Sequence, residues 1–241
     1  MTPKLDAVWV YLATSPLLWL TATLLAYQIA VAIYARTKFN PLANPVAIAV
    51  ALIVLVLSAT GTSYKTYFDG AQFVHFLLGP VTVALAIPLY QQIAKLRRDW
   101  LALLVGAIVG SAAAIATAMA VAKLLGASPA TILSIAPKSV TMAIAMGIAE
   151  KIGGLPSLTA VLVMVTGVLG AVMARGILKL MKITDDSTCG FALGVTAHGI
   201  GTARAFQVSE QMGAFAGLAM GLSGMLTALF LPLALKLLGV L

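Results

Sequence analysis

Lys138 and Arg204 sit inside long apolar stretches of this chain, and no Asp or Glu does. The acids Asp6, Asp69, Asp99, Glu150, Asp185, Asp186 and Glu210 all fall at or near the ends of such stretches. A lone cation in a membrane interior costs roughly 2.5–3.5 kcal/mol on insertion scales, so the pattern points to a small anion as the compensating charge. Pro137-Lys138-Ser139-Val140-Thr141 groups an ammonium with two hydroxyls, and a half-helix starting after Pro137 would aim its positive end at an anion. Ala197-His198-Gly199-Ile200-Gly201-Thr202-Ala203-Arg204 is the second group. There Gly199 and Gly201 allow close backbone approach, and Arg204 suits a carboxylate through two parallel hydrogen bonds. His198 can donate a hydrogen bond or carry a proton near neutral pH, and Thr202 adds a hydroxyl. Gly79-Pro80-Val81-Thr82 could add donors from a third broken helix. Each group also has a structural reading: a snorkelling Lys138, an Arg204 anchored at the rim or paired with Glu210, a satisfied core His198, a packing kink at Gly79-Pro80. His75 is read as structural.

The elements that must position these residues are membrane segments. The chain has 241 residues, 61% hydrophobic and 9% charged, with a mean hydropathy of +1.06. A soluble fold of that composition could not cover itself with polar surface. The expectation is an all-α polytopic membrane protein, a single integral membrane domain over 1–241, with 7–64 as a candidate scaffold part and 70–239 as a candidate core. Its net charge of +8 comes from scattered cations, with no basic stripe and no aromatic interleaving, which argues against nucleic acid and fits positive-inside loops. The single cysteine, Cys189, excludes an internal disulfide and reads as a small buried residue.

Gaps between charges give about eight segments, each long enough for the ~20 residues of a span: 7–35, 39–64, 70–94, 100–122, 124–149, 152–174, 187–209 and 211–235. The first helix should run Pro16 to Ala35, and the second should enter after Asn44-Pro45. Segments 70–94, 124–149 and 187–209 carry Pro or clustered Gly and read as broken, which membrane proteins tolerate only where protein or a wet cavity satisfies the backbone. Internal repeats, inverted ones favoured, are expected. One pairing sets Val81–Ala86 against Val140–Ala145, and another sets 70–94 against 187–209. The positive-inside rule puts Arg36/Lys38, Lys95/Arg97/Arg98 and Arg175/Lys179/Lys182 on the cytoplasmic side. That requires 124–152 to re-enter on its original side, with its tip at Pro137-Lys138-Ser139, unless one assignment is wrong.

No catalytic motif, Walker loop, paired carboxylates or metal-ligand spacing is present, so neither an enzyme nor a metal site is expected, and no cofactor.

Gly79–Tyr90, Pro137–Thr141, Gly147–Gly154 and His198–Ala205, in this order, resemble the LrgB/CidB family of membrane proteins, and the resemblance runs over nearly the whole chain from around Ser15. It implies the inner membrane of a bacterial cell, a small LrgA/CidA-type membrane partner, and inverted repeats with crossing broken helices. Homo-oligomers, dimers favoured, are a further expectation. The family was first described as holin/antiholin-like, modulating murein hydrolase activity and autolysis, while plant relatives export glycolate and glycerate and bacterial relatives are linked to pyruvate uptake. Joined to the cationic breaks, this gives the expectation of a secondary transporter of small monocarboxylates (glycolate, glycerate, lactate or pyruvate class), with Na+ or H+ as candidate coupling ion and elevator-like movement. Lys138 and Arg204 would hold the carboxylate, and Ser139, Thr141 and Thr202 the 2-position oxygen. The alternative is a holin/antiholin-like regulator of autolysis.

Overall fold

The computed structural model describes residues 15–37 and 39–239. Lys38, read above as cytoplasmic, lies outside them. The described residues form eleven α-helices and no strand, in two compact units, Met1–Ala84 and Leu85–Leu241. The division falls at Ala84 rather than between 64 and 70.

In the first unit α1 (Pro16–Arg36) packs on α2 (Pro45–Thr60) and α3 (Tyr64–Phe76), and α4 (Leu78–Ala84) follows α3. The local signals read from the sequence set the ends. Pro16 opens α1, the Asn44 side chain accepts hydrogen bonds from the Val46 and Ala47 N–H groups ahead of α2, and Gly61 closes α2 in the left-handed region at φ 65°. Trp19, 1% exposed, meets Tyr67 edge to face with centroids 5.7 Å apart, and Thr23 shares a 3.0 Å hydrogen bond with the Tyr67 hydroxyl.

The second unit is α5 (Ala86–Gln91), α6 (Ile93–Leu124), α7 (Pro129–Ile135), α8 (Met142–Lys151), α9 (Pro156–Leu180), α10 (Asp186–Phe206) and α11 (Glu210–Leu237). Five stretches of the described residues are long and apolar enough to cross a membrane: Leu17–Arg36, Tyr64–Gln91, Ile93–Leu124, Pro156–Leu180 and Glu210–Leu237. Pro45–Thr60 is a shorter apolar helix. Large side chains such as Leu124, Leu180 and Leu229 stand exposed along the second unit, as lipid contact demands.

The remaining two elements of the second unit do not cross. In α10 the Ser209 hydroxyl, just past the helix, donates to Asp186 Oδ2 at 2.6 Å, and Gln211 Nε2 donates to Ser187 Oγ at 2.7 Å. A straight helix would hold Asp186 and Ser209 about 34 Å apart. The chain instead reverses at His198, whose φ of 40° and ψ of −133° lie outside the helical region. Residues 186–197 go in and 199–206 come back. Gly201 packs against Leu193 O and Ala197, and Ala205 shares a core cluster with Cys189 and Leu193. Two close approaches make the reversal possible. A Cβ on Gly190 or Gly194 would strike the Met212 or Ala216 carbonyl of α11, so this small-xxx-small face lets the entering limb lie directly on that helix.

The second such element is α7 and α8. Six residues between them, 136–141, are not helical. The chain then returns until Leu155 N–H donates to Ser134 Oγ at 2.8 Å, and Thr159 Oγ1 donates to Ser134 O at 2.9 Å. Segment 124–152 therefore re-enters, one of the two resolutions that the charge pattern leaves open. Segment 187–209, expected to cross, is corrected to a hairpin, because its reversal depends on contacts that neighbouring elements supply.

The two hairpins open at opposite ends. Lys95 Nζ, near the start of α6, lies 2.9 Å from Asp185 Oδ1, so α6 and α10 begin at one end, which also carries Arg97, Arg98 and Lys182. Gly106 against Phe191 and Gly110 against Val195 show the two running in parallel. The long helix α6 then delivers α7 to the far end. The structurally matched pair is 129–151 with 186–206, entered from opposite sides, and neither pairing expected from sequence includes it.

Candidate functional site

Both tips reach the middle of the second unit and meet there. Ala136, Pro137, Ser139 and Val140 of the first tip line a small cavity with Val195 of the second. The walls are completed by Ser111 and Ile115 of α6 and Ser223 and Thr227 of α11. Its volume is about 10 Å³, close to that of a single water molecule by the same measure. Val163 of α9 ties the tips together. Its side chain clusters with Ala136 and Val140, and its carbonyl lies 3.0 Å from His198 Nε2. Gly167, one turn on, leaves room for the imidazole, since a Cβ there would stand 2.8 Å from His198 Cε1.

The expected residues divide into three sets. Lys138, Ser139, His198 and Thr202 gather around the tips. Lys138 is half-buried and its Nζ donates to Ser139 Oγ at 3.4 Å. His198 is 4% exposed, and Thr202 Oγ1 donates to the His198 carbonyl at 2.9 Å, a bond back along the returning limb. Thr141 caps the backbone of α8 with an extended conformation, ψ 145°, but its side chain makes no cap bond. Gly201 packs at the turn of the hairpin, against Ala197 and the Leu193 carbonyl.

Arg204 is the second set. It lies about 9 Å down the returning limb from His198, with its Nη1 donating to Gln207 Oε1 at 2.9 Å. It lines a separate cavity of about 580 Å³ with Arg175, Lys179 and Asp186. The pairing expected between Lys138 and Arg204 is therefore not what the structure brings together, because the reversal at His198 sends Arg204 back toward the basic end. Nor is Glu210 its partner among the described ion pairs, which are Lys95–Asp185 and Arg98–Asp99.

Gly79 and Pro80 form the third set. They lie on α4 in the first unit, as does Thr82. The side chains of Thr82 and His75 lie outside the described residues.

Sequence reasoning missed Ser111, Ser223 and Thr227. Ser111 is 7% exposed, and its Oγ has no hydrogen-bond partner. The Ser223 hydroxyl donates to Met220 O at 3.2 Å. The available signal was a hydroxyl near the midpoint of an otherwise apolar span, which is weak because such hydroxyls also bond back to their own helix.

At the basic end, Asp185 caps α10 through the Thr188 N–H at 2.9 Å. Its carboxyl is pulled down to about 2, first by the Lys95 ammonium and then by the Thr188 N–H and hydroxyl.

Residues 23–237 match the LrgB-like family. The antiholin-like protein LrgB of Bacillus mycoides (strain KBAB4) is 30% identical over 225 residues, 93% of this chain and 98% of the relative. The proteins of the same name from Bacillus cereus (strain B4264) and Bacillus anthracis (strain CDC 684 / NRRL 3495) match with the same identity and coverage. No solved structure matches the chain. These relatives overturn the expectation of a monocarboxylate transporter: they are named as antiholin-like proteins, which fits the alternative regulatory reading, and nothing in those names speaks of a carrier. With its match spanning both hairpins and four of the five long apolar stretches in full, the chain belongs to the LrgB-like family.

Proposed function

We propose that this chain is an antiholin-like membrane regulator of autolysis, restraining a small LrgA/CidA-type hole-forming membrane protein and so limiting murein hydrolase activity. The observation that carries the reading is the likeness to proteins named antiholin-like over 93% of the chain. The geometry supports it. An antiholin must sit in the bilayer without opening a hole of its own, and here two hairpins close tip to tip around a cavity of about 10 Å³. A cavity of that size holds no solute larger than water.

The reading places the chain in the inner membrane of a bacterial cell, with the basic end toward the cytoplasm by the positive-inside rule. It needs no enzymatic step, metal or cofactor. Association with the partner, or with a second copy, would use lipid-facing helix surfaces, where large apolar side chains such as Leu229 stand exposed.

The test is dye release from proteoliposomes. The chain alone should leave an encapsulated fluorophore in place, and co-reconstitution should suppress release caused by the small partner. Release by the chain alone, or no effect on the partner, would remove the proposal.

A further inference from the structure

The cavity that holds Arg204 has a construction of its own. Arg175 and Lys179 lie four residues apart on α9 and so share one face. Arg204 reaches the same cavity from the returning limb of α10, and Asp186 is the one carboxylate among the lining residues. That carboxylate already accepts the Ser209 hydroxyl at 2.6 Å. Three cations thus face one acid, and neither Arg175 nor Lys179 has an ion pair among the described residues. Like charges at this spacing repel, and an anion placed between them would relieve that repulsion.

Ala171 and Leu193 line the cavity further in than the cations, and Leu178, Val208 and Met212 add apolar wall beside them. A free phosphate would touch only the rim of a 580 Å³ cavity. A phospholipid with an anionic headgroup fits both halves, phosphate against the cations and the first acyl carbons against the apolar walls. The position agrees, since basic pockets between membrane helices on the cytoplasmic side are where such headgroups bind.

We infer that the Arg175–Lys179–Arg204 cavity binds the phosphodiester headgroup of an anionic phospholipid, tying the returning limb of α10 to the end of α9. The site is independent of the antiholin-like role.

Thermal unfolding of delipidated protein in detergent tests it, with phosphatidylglycerol, phosphatidylcholine or inorganic phosphate added. Phosphatidylglycerol should raise the midpoint and phosphatidylcholine should not. The double substitution Arg175→Gln with Lys179→Gln should weaken the phosphatidylglycerol response roughly 30-fold, at roughly fivefold per cation near the surface. Both residues are exposed, so the fold should survive. Arg175→Lys keeps the charge and should keep most of the response, which a purely structural guanidinium would not. Equal responses to the two lipids, a response retained in the double variant, or full reproduction by inorganic phosphate would each overturn the inference.

Discussion

Ser134 carries more of the re-entrant architecture than any of the charged residues. It is fully buried, donates to Ala130 O at 2.6 Å and accepts the Leu155 N–H at 2.8 Å, so one hydroxyl fastens the entering limb to the start of α9. Ser134→Ala strands a buried N–H, which costs about 1–3 kcal/mol. The midpoint of thermal unfolding should fall accordingly, while Ser58→Ala, at an exposed position within α2, should barely move it.

Asp185 makes the residue scale pH-dependent. Its folded carboxyl titrates at about 2, below the unfolded value of about 3.9. The contribution is therefore complete above about 4 and is lost as pH falls toward 2. The pair is exposed, so the effect is small and weakened by salt. Asp185→Asn should flatten that part of the stability–pH curve, read by unfolding between pH 5 and pH 2.

At the scale of elements, the two hairpins make a topology that labelling can read. In a Cys189→Ser background, Ala127→Cys and Lys151→Cys should react with an impermeant maleimide from one side of the membrane. Thr184→Cys and Val208→Cys should react from the other. Opposite sidedness within either pair would mean a crossing segment. Packing of the inner hairpin should be equally sensitive. Gly194→Val drives a side chain into the Ala216 carbonyl, and overpacking of this kind costs about 1–3 kcal/mol, so the variant should unfold at lower temperature or fail to accumulate.

These elements also show what the residues reveal before any coordinates. The break at Pro137 is legible because proline removes a donor and its neighbours are a cation and hydroxyls, and the cation clusters on either side of the segment make a re-entrant path one of two consistent readings. The glycines of 187–209 signal a break equally well. They do not say that the chain turns back, because a 23-residue apolar stretch satisfies the length of a span. The evidence for reversal is tertiary: Asp186 against Ser209, Gly190 against Met212, Gly201 against Leu193. For the same reason Arg204 was grouped with Lys138 on proximity to a break, although its limb runs the other way. Ser111 was invisible, since nothing about a hydroxyl in a clean helix announces that it faces a tip on another element.

At the scale of the whole molecule, closure is what the fold shares with the proposed role. Hairpins entering from opposite ends bring non-helical backbone to the middle of the second unit, where the two tips meet around a cavity of about 10 Å³. His198 holds a left-handed φ there, and its imidazole lies 3.0 Å from the Val163 carbonyl, so the bend and the seal depend on the same side chain. In the proposed role the protein delays lysis by opposing a hole-forming partner. The most direct measurement follows membrane potential and lysis in bacterial cells that express the small partner with or without this chain. The account predicts that the chain alone leaves the potential intact and that its co-expression postpones both depolarisation and lysis. Depolarisation by the chain alone, or an unchanged lysis time with the partner, would contradict it.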